Sequence, residues 1–424
     1  MSTHIPRYAD VRLSQLLAIL PAIMIDGAKG VGKTQTAEQF AKTVIELDKA
    51  GEREALAADY ERLSTGTPPI LLDEWQHLPE VWDRVRRLVD DKISIGSIIL
   101  TGSLQSRNPA IHTGAGRIVR FQMRPLSLAE RMEFSPCVTL SDALSGNVPE
   151  RLEAVSSLGL KDYIAHIVSS GFPAIYQETA EAREELLDTY LENIVSREFS
   201  SQGIRVHQPA VLSRWMRSFA AAAGTTSSYD KILAGATAGE GDKPAKETTI
   251  AYREALERLW LLDELPYWSE GEDFFSRLKQ TPKHYLADPA LEAHLLGLSA
   301  QDLLSGKPRT AYDHDYQSIT GRLFESLVVM SLRTYASSMR ARCGYVRTRN
   351  GDHEVDFVAQ KNQAIVAIEI KMAAAITDAD VKHLNWFEER VGDRVKEKII
   401  LYTGERAYRR PADRVLVIPA ALFG

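Results

Sequence analysis

The sequence predicts an α/β protein whose N-terminal part contains a parallel sheet covered by helices. Between residues 21 and 132, short apolar runs alternate with stretches of helical periodicity, which is typical of parallel strands joined by crossover helices. From about residue 150 to residue 285 the pattern is mostly helical. After residue 354, strand-like apolar runs return, with one more helical stretch among them. We therefore expect two α/β domains separated by a helical middle region.

The N-terminal elements follow directly from these runs. Apolar runs predict strands at residues 22–25, 43–47, 69–73, 97–101 and 117–123. Helical periodicity predicts helices at residues 35–41, 52–63, 79–91 and 127–132. Ligands of such sheets bind at the carboxyl ends of the strands, so the side chains that follow each strand are the candidates for function.

The turn after the first strand is a complete phosphate-binding motif, with a glycine, four residues and then Gly-Lys-Thr. Strand, Gly-rich turn and helix N-terminus together direct backbone N–H groups and the positive end of the helix dipole at a polyphosphate. Lys33 would reach the β- and γ-phosphates, and the Thr34 hydroxyl would ligate Mg²⁺, so ATP and Mg²⁺ are the predicted cofactors. The predicted nucleotide-binding residues are Gly27, Ala28, Lys29, Gly30, Val31, Gly32, Lys33 and Thr34.

Two further strands end in polar residues that complete such a site. The run from Pro69 ends in Asp73 and Glu74, the Walker B arrangement. Asp73 would hold Mg²⁺ directly or through water, and Glu74 would polarise the attacking water. The next strand ends in Gly102-Ser103, which makes Ser103 a candidate sensor of the γ-phosphate or a simple turn serine.

Composition limits the remaining possibilities. A chain of 424 residues with 44% hydrophobic and 25% charged residues is sufficient for two or three globular domains. Its two cysteines, Cys137 and Cys343, exclude a cysteine-based metal cluster and fit a cytoplasmic location. The apolar stretch from Leu16 to Ile25 is too short to span a bilayer. A net charge of −6 argues against a wholly basic nucleic-acid binder, so such contact would need local patches.

Residues 205–285 predict a winged helix-turn-helix. Helices are expected at 211–222, 227–233 and 248–262, followed by the apolar run Leu265-Pro266-Tyr267-Trp268, while residues 234–246 read as an exposed loop. The third helix would then contact DNA. This segment carries as many acidic as basic side chains, however, so a protein-docking or structural module is an equal alternative.

The C-terminal third contains a second set of chemically suggestive residues. Two predicted strands, 354–358 and 365–371, carry Asp356 on the first and Glu369 and Lys371 on the second. A helix at 321–332 adds Glu325. Two carboxylates that share Mg²⁺ or Mn²⁺, beside a lysine, form the core of the restriction-endonuclease-like superfamily. The alternative is a surface hairpin whose charges only keep it soluble.

Arginines cluster between residues 333 and 350, a stretch that contains no acidic residue. Such a cluster suits either contact with a phosphate backbone or a solvated basic face. The arginines are Arg333, Arg340, Arg342, Arg347 and Arg349.

The chain resembles bacterial and archaeal AAA-type ATPases that carry a winged-helix segment and a C-terminal domain of unknown function with nuclease-like residues. The resemblance is carried by the segments 27–34, 72–76, 100–103, 116–130, 171–173, 354–357 and 368–371. It implies ATP binding, ATP hydrolysis and four regions, namely a P-loop ATPase domain (1–140), a helical lid or linker (141–204), a winged-helix-like domain (205–290) and a nuclease-like α/β domain (291–424).

The function predicted from these residues is a Mg²⁺-dependent ATPase coupled to a nuclease-like domain. Arg117, after a Gly-rich turn, is the candidate arginine finger within one subunit or between neighbouring subunits of a homo-oligomer, with Arg120 and Arg124 as substitutes. For Arg117 itself, an ion pair within the sheet is the other interpretation. Two alternatives stay open. One is a nucleotide-gated switch or scaffold, and the other is a DNA-associated ATPase, in both of which the C-terminal domain binds nucleic acid or a partner protein without cleavage.

Overall fold

The N-terminal sheet consists of five parallel strands in the order β2-β3-β4-β1-β5. The computed structural model describes residues 4–102, 116–132, 136–199, 206, 208–237, 246–269, 281–306, 316–348 and 350–424. The strands are β1 (Ala22–Asp26), β2 (Thr43–Glu46), β3 (Ile70–Asp73), β4 (Ile98–Thr101) and β5 (Val119–Gln122). All five lie where the sequence predicts them, because continuous apolar runs are needed wherever helices cover both faces of a sheet.

The side chains of β1 show how both faces are filled. Ile23 and Ile25 pack into one apolar cluster, and Ala22 and Met24 into another on the opposite face, which also contains Trp75. The covering helices are α1 (Tyr8–Leu17), α2 (Lys33–Glu38), α3 (Ala50–Ala58), α4 (Arg62–Thr65) and α5 (Glu80–Asp90).

One N-terminal helix, α1, was not predicted, and another differs from the prediction. The apolar stretch from Leu16 to Ile25 divides between the end of α1 and the start of β1. The single helix expected at 52–63 is interrupted, because the carboxylate of Asp59 accepts a hydrogen bond from the backbone N–H of Glu61 and closes a local turn.

The middle region is helical, as predicted. Its elements are α6 (Leu128–Arg131), α7 (Leu140–Ser145), α8 (Leu160–Val168), α9 (Pro173–Tyr176), α10 (Ala180–Asn193) with a π-helical extension (Ile194–Glu198), α11 (Pro209–Ala221), α12 (Tyr229–Thr237) and α13 (Lys246–Arg258). After α13, Leu262 pairs with Leu286 and Leu265 with Lys283 in a short antiparallel arrangement. Three helices followed by an antiparallel pair are what the winged-helix hypothesis requires. Residues 238–245 of the expected loop lie outside the described residues.

The C-terminal sheet has seven strands in the order β6-β11-β12-β10-β9-β8-β7. The preceding helices are α14 (Pro289–Leu295), α15 (Ala300–Ser305) and α16 (Tyr316–Ser338), and α17 (Asp378–Val391) lies between β9 and β10. The strands are β6 (Ala154–Val155), β7 (Arg342–Arg347), β8 (Glu354–Lys361), β9 (Ala364–Lys371), β10 (Val395–Tyr402), β11 (Arg406–Arg409) and β12 (Leu416–Pro419).

The boundary expected between residues 140 and 141 does not separate two packing units. β6 pairs with β11 of the C-terminal sheet, and the backbone N–H of Leu140 donates to the carbonyl of Gly424 at 2.7 Å. Tyr163 and Ile167 are buried in the same apolar cluster as that sheet. Residues 138–168 therefore pack with the end of the chain, a contact that local sequence patterns cannot reveal. In the described parts of the chain, no helix is long and apolar enough to cross a membrane.

Candidate functional site

The phosphate-binding loop connects β1 to α2 as the motif predicts. Gly30 and Gly32 adopt positive φ angles of 84° and 98°, which glycine accommodates most easily. Gly27 lies so close to β5 that a Cβ atom there would be 2.3 Å from the carbonyl oxygen of Met123. The loop therefore needs glycine for its own shape and for its packing against the sheet.

Lys33 begins α2 and is buried beneath the loop. Its ammonium donates hydrogen bonds to the carbonyl oxygens of Gly27 at 2.9 Å and Ala28 at 3.0 Å. Burial lowers the pKa of Lys33, and the nearby carboxylates of Glu74 and Asp26 oppose this shift. Lys33 thus lies under the peptides that would surround a polyphosphate.

The predicted magnesium ligands meet at the carboxyl end of the sheet. The hydroxyl of Thr34 donates to Asp73 Oδ1 at 2.7 Å, and the hydroxyl of Thr101 donates to the same oxygen. Asp73 is 7% exposed. These oxygen donors suit Mg²⁺, which prefers carboxylate, hydroxyl and water ligands. The sequence had indicated no role for Thr101, whose position is visible only once β3 and β4 are known to be neighbours.

Glu74 has a left-handed backbone conformation, with φ 50° and ψ 48°. This conformation costs a non-glycine residue about 1–3 kcal/mol, and it turns the chain immediately after β3. The Glu74 carboxylate accepts a hydrogen bond from the side-chain amide of Gln76. Gln76 also lies against Gly102, where a Cβ would be 2.1 Å from Gln76 Oε1, so it connects the ends of β3 and β4. Ser103 lies outside the described residues.

The middle region covers the tip of the loop. A cavity of about 250 Å³ between them is lined by Lys29, Gly30, Tyr190, Arg197 and Leu261, among others. The Tyr190 hydroxyl donates to the carbonyl of Lys29 at 3.1 Å, and the Lys29 ammonium lies 3.1 Å from Glu198.

Two segments far apart in sequence also contact the loop. The guanidinium of Arg7 donates to the carbonyl of Val31 at 2.9 Å and lies 3.1 Å from Glu130. Phe172, from the Gly-Phe-Pro segment, lies 3.7 Å from the position of a Cβ on Gly30. Neither contact could be predicted from the local sequence of the loop.

The three candidate finger arginines each have an acidic partner. Arg117 lies 2.6 Å from Asp90, and both side chains are 41% exposed. Arg120 pairs with the buried carboxylate of Asp26, directly before the loop. Arg124 is a buried residue that pairs with Asp263, described in the Discussion.

Asp26 connects the phosphate-binding loop to the segment that follows α13. Its Oδ1 accepts hydrogen bonds from the backbone N–H of Gly27 at 2.9 Å and from the indole N–H of Trp260 at 2.7 Å. Arg253 and Arg258 of that helix pair with Glu257 and Glu254 of the same helix. These internal pairs do not favour the predicted contact of this helix with DNA.

The C-terminal candidates also converge. β8 and β9 form an antiparallel hairpin with Phe357 opposite Ile368, and extending this register places Asp356 opposite Glu369 on one face. The carboxylate of Asp356 accepts a hydrogen bond from the backbone N–H of Ile370 at 3.0 Å. The Lys371 ammonium lies 2.8 Å from Glu369 Oε2.

A residue that the sequence did not identify lies at the centre of this cluster. The ammonium of Lys283 is 3.0 Å from Glu325, 3.0 Å from Asp356 and 2.8 Å from Glu354. The hydroxyl of Tyr285 donates to the same carboxylate of Glu325 at 2.5 Å. Throughout the described ranges, no group of three or more acidic, histidine or cysteine side chains has an arrangement that could hold a metal ion.

The carboxylates of this cluster differ in their ionisation. Burial would raise the pKa of Asp356, but Lys283 and Lys371 outweigh it and hold that pKa at about 2. Burial and the neighbouring charge of Asp356 hold the pKa of Glu369 well above its usual range. Burial would lower the pKa of Lys283, but Glu325 and Asp356 outweigh it and keep that pKa well above its usual value. The two neighbouring carboxyl groups therefore differ, since the pKa of Asp356 is lowered and the pKa of Glu369 is raised.

The arginine-rich stretch does not form one phosphate-facing patch. Arg333 is buried and pairs with Asp263, and Arg347 lies 3.6 Å from Glu354. Arg340 and Arg342 are exposed, and Arg349 lies outside the described residues. At Arg333 the expectation of a phosphate contact is wrong, because its helix turns this side chain into the protein.

Three family models match separate parts of the chain. Residues 20–132 match the model of an AAA domain, which supports the AAA-type P-loop domain that the resemblance implied for this segment. Residues 160–302 match a domain of unknown function, DUF8612, and residues 320–423 match another, DUF4143.

Solved structures similar to this chain include two archaeal proteins. The Walker-type ATPase PABY2304 of Pyrococcus abyssi is 14% identical, with 69% of this chain and 96% of that chain covered and a TM-score of 0.41. The ORC2 protein of Aeropyrum pernix, in ADPNP and ADP complexes, is 14% identical, with 77% of this chain and 93% of that chain covered and a TM-score of 0.29. No curated protein matches the chain.

Proposed function

We propose that the N-terminal domain binds Mg-ATP in the loop from Gly27 to Thr34 and hydrolyses it. The observation that carries this proposal is the hydrogen bond between Thr34 and Asp73, which brings the two predicted Mg²⁺ ligands to the mouth of the loop. Lys33 lies beneath the phosphate position, and Glu74 lies one residue beyond Asp73. Thr34 and Asp73 would hold Mg²⁺, which would supply positive charge to offset the negative charge that develops on the transferred phosphoryl group.

Glu74 would act as the general base that orients and deprotonates the attacking water. Glu74→Gln is therefore expected to bind ATP normally and to hydrolyse it at least ~100-fold more slowly, the usual effect of losing a general base. Steady-state phosphate release and the binding of a fluorescent ATP analogue measure the two quantities separately. The matched control is Glu80→Gln, an exposed acid of α5 that should leave the rate unchanged. Hydrolysis by Glu74→Gln at the parental rate would assign the base to another residue.

We further propose that Arg117 acts on nucleotide bound to a neighbouring subunit of a homo-oligomer. Arg117 lies at the domain surface, whereas Arg120 and Arg124 are held by acids that are themselves buried. A finger of this kind contributes about 10³–10⁵ in rate. We expect the rate per subunit to rise with protein concentration and Arg117→Ala to abolish that rise without weakening ATP binding. Asp90→Asn, which removes the carboxylate that Arg117 shares with Arg86, is the control, and a concentration-independent rate unaffected by Arg117→Ala would eliminate the finger.

We propose that the C-terminal domain acts by binding, as a nucleotide-gated module, and not by cleaving. Asp356 and Glu369 supply the carboxylates that a divalent cation would need, and Glu325 and Lys371 lie beside them. An ammonium group nevertheless lies between three of the carboxylates of this cluster. Metal-dependent phosphodiester cleavage would first require Lys283 to leave, so nuclease chemistry is the second candidate function of this domain. The position of Lys283 therefore supports the binding function over cleavage.

A further inference from the structure

Lys283 occupies the position of a bound cation. Its side chain is 2% exposed, and its ammonium has carboxylate oxygens of Glu325, Glu354 and Asp356 at 2.8–3.0 Å. These three acids come from a helix and a strand that are distant in sequence from residue 283. Two of these contacts, to Glu325 and Asp356, are hydrogen bonds, and the third, to Glu354, is an ion pair, so acidic oxygens surround the ammonium.

The backbone of Lys283 is held in place as well as its side chain. Its N–H donates to the carbonyl of Leu265 at 3.0 Å, and its carbonyl accepts from the N–H of Leu265 at 2.9 Å. The ring of Tyr345 lies 5.8 Å from the ammonium on another side. The side chain is thus directed into the carboxylate cluster from a fixed strand.

The chemistry of the cluster requires a positive charge at this point. Without Lys283, the carboxylates of Glu325, Glu354 and Asp356 would face one another in a largely buried space, with positive charge left at Lys371 and Arg347. Buried charges that lose their partner are strongly destabilising. A divalent cation would supply the same compensation, but it needs oxygen ligands at 2.0–2.6 Å, closer than an ammonium takes them. The two cations therefore exclude each other.

Glu369 gives an independent indication that the cluster is suited to a ligand. Its side chain is 2% exposed, and its Oε1 has no hydrogen-bond partner among the residues that the structure describes. Neither Lys371 nor Lys283 uses this oxygen. It lies beside Asp356 and is therefore available to another cation, such as a divalent metal ion.

We propose that Lys283 is the built-in cation of this site, so that the protein as it stands holds no divalent metal there, and that removing the lysine ammonium creates a divalent-cation site. The proposal concerns the occupant of the cluster, and it holds whether or not the N-terminal domain hydrolyses ATP.

The test compares Mn²⁺ binding to the nucleotide-free full chain in four forms, namely the parent, Asp356→Asn, Lys283→Met and the double variant Lys283→Met/Asp356→Asn. Electron paramagnetic resonance of free Mn²⁺ counts the bound ions, and the phosphate-loop site is common to all four forms.

We expect the parent and Asp356→Asn to bind equal amounts of Mn²⁺. Lys283→Met should bind one Mn²⁺ more, and the double variant should lose it. The melting temperature of Lys283→Met should rise with Mn²⁺, whereas that of the parent should rise no more than that of Asp356→Asn.

Two results would overturn the proposal. The first is a parent protein that binds one Mn²⁺ more than Asp356→Asn, because the ammonium would then not exclude the metal. The second is a folded Lys283→Met that binds no more Mn²⁺ than the parent. If Lys283→Met folds only when Mn²⁺ is present, the metal has replaced the ammonium and the proposal is supported. If it does not fold at all, Lys283→Gln, which lacks the charge but keeps a hydrogen-bonding group, takes its place, and the comparison of parent with Asp356→Asn still decides the first point.

Discussion

Lys33→Ala is expected to abolish ATP binding. Lys33 is the cation that lies beneath the loop, and its ammonium is 2.9–3.0 Å from the carbonyl oxygens of Gly27 and Ala28. Removing it leaves the phosphate charges to backbone N–H groups and the dipole of a short helix, which alone contribute less than a direct ion pair. Because the ammonium bonds only to backbone carbonyls of its own loop, the fold should survive its loss.

Titration with a fluorescent ATP analogue measures this effect, and circular dichroism verifies the fold. Lys29→Ala is the matched control, since Lys29 belongs to the same loop but its side chain is 77% exposed and paired with Glu198. We expect Lys29→Ala to retain ATP binding. Tight binding of Mg-ATP by Lys33→Ala would show that the loop assignment is wrong.

The N-terminal sheet could be predicted because the patterns that define its strands and its loop lie within a few consecutive residues. Each strand is a short apolar run, and the phosphate-binding motif requires eight consecutive residues in a fixed order. The same locality explains Asp73 and Glu74, which follow directly after β3. It also explains why Asp356 and Glu369 could be paired, since a two-residue turn at Asn362 fixes the register of their hairpin.

The features that the sequence missed depend on contacts between distant segments. Thr101 reaches Asp73 only because β4 lies next to β3, and Phe172 reaches Gly30 only because the middle region covers the loop. Lys283 is 42 residues from Glu325 and 73 from Asp356, in a stretch with no periodicity that points to either. No local pattern indicates such a residue.

Asp263 joins the three regions of the chain through one buried carboxylate. Arg124, which follows β5, lies 2.5 Å from Asp263 Oδ2, and Arg333 of α16 lies 2.9 Å from Oδ1. Arg333 also donates to the carbonyl of Glu264 at 2.8 Å. Asp263 itself lies on the antiparallel pair that carries Lys283, since its N–H donates to the carbonyl of Tyr285. Asp263 thus connects the N-terminal domain, through Arg124, to the segment that carries Lys283 of the carboxylate cluster.

Asp263→Asn is therefore expected to destabilise the protein by about 3–5 kcal/mol, because it leaves two buried guanidinium groups without an anionic partner. Burial would raise the pKa of Asp263, but Arg124 and Arg333 outweigh it and hold that pKa at about 2. A carboxyl group with a lowered folded-state pKa stabilises the fold above its unfolded pKa of about 3.9, and this contribution is lost as the pH falls through about 4 towards 2. The difference in stability between parent and variant should consequently be greatest at neutral pH and shrink below pH 4.

Urea denaturation at several pH values measures this difference. The control is Asp90→Asn, which breaks the exposed pair with Arg117 and should reduce the free energy of unfolding by less than about 1 kcal/mol. If Asp263→Asn is as stable as Asp90→Asn at pH 7, the carboxylate does not hold the regions together.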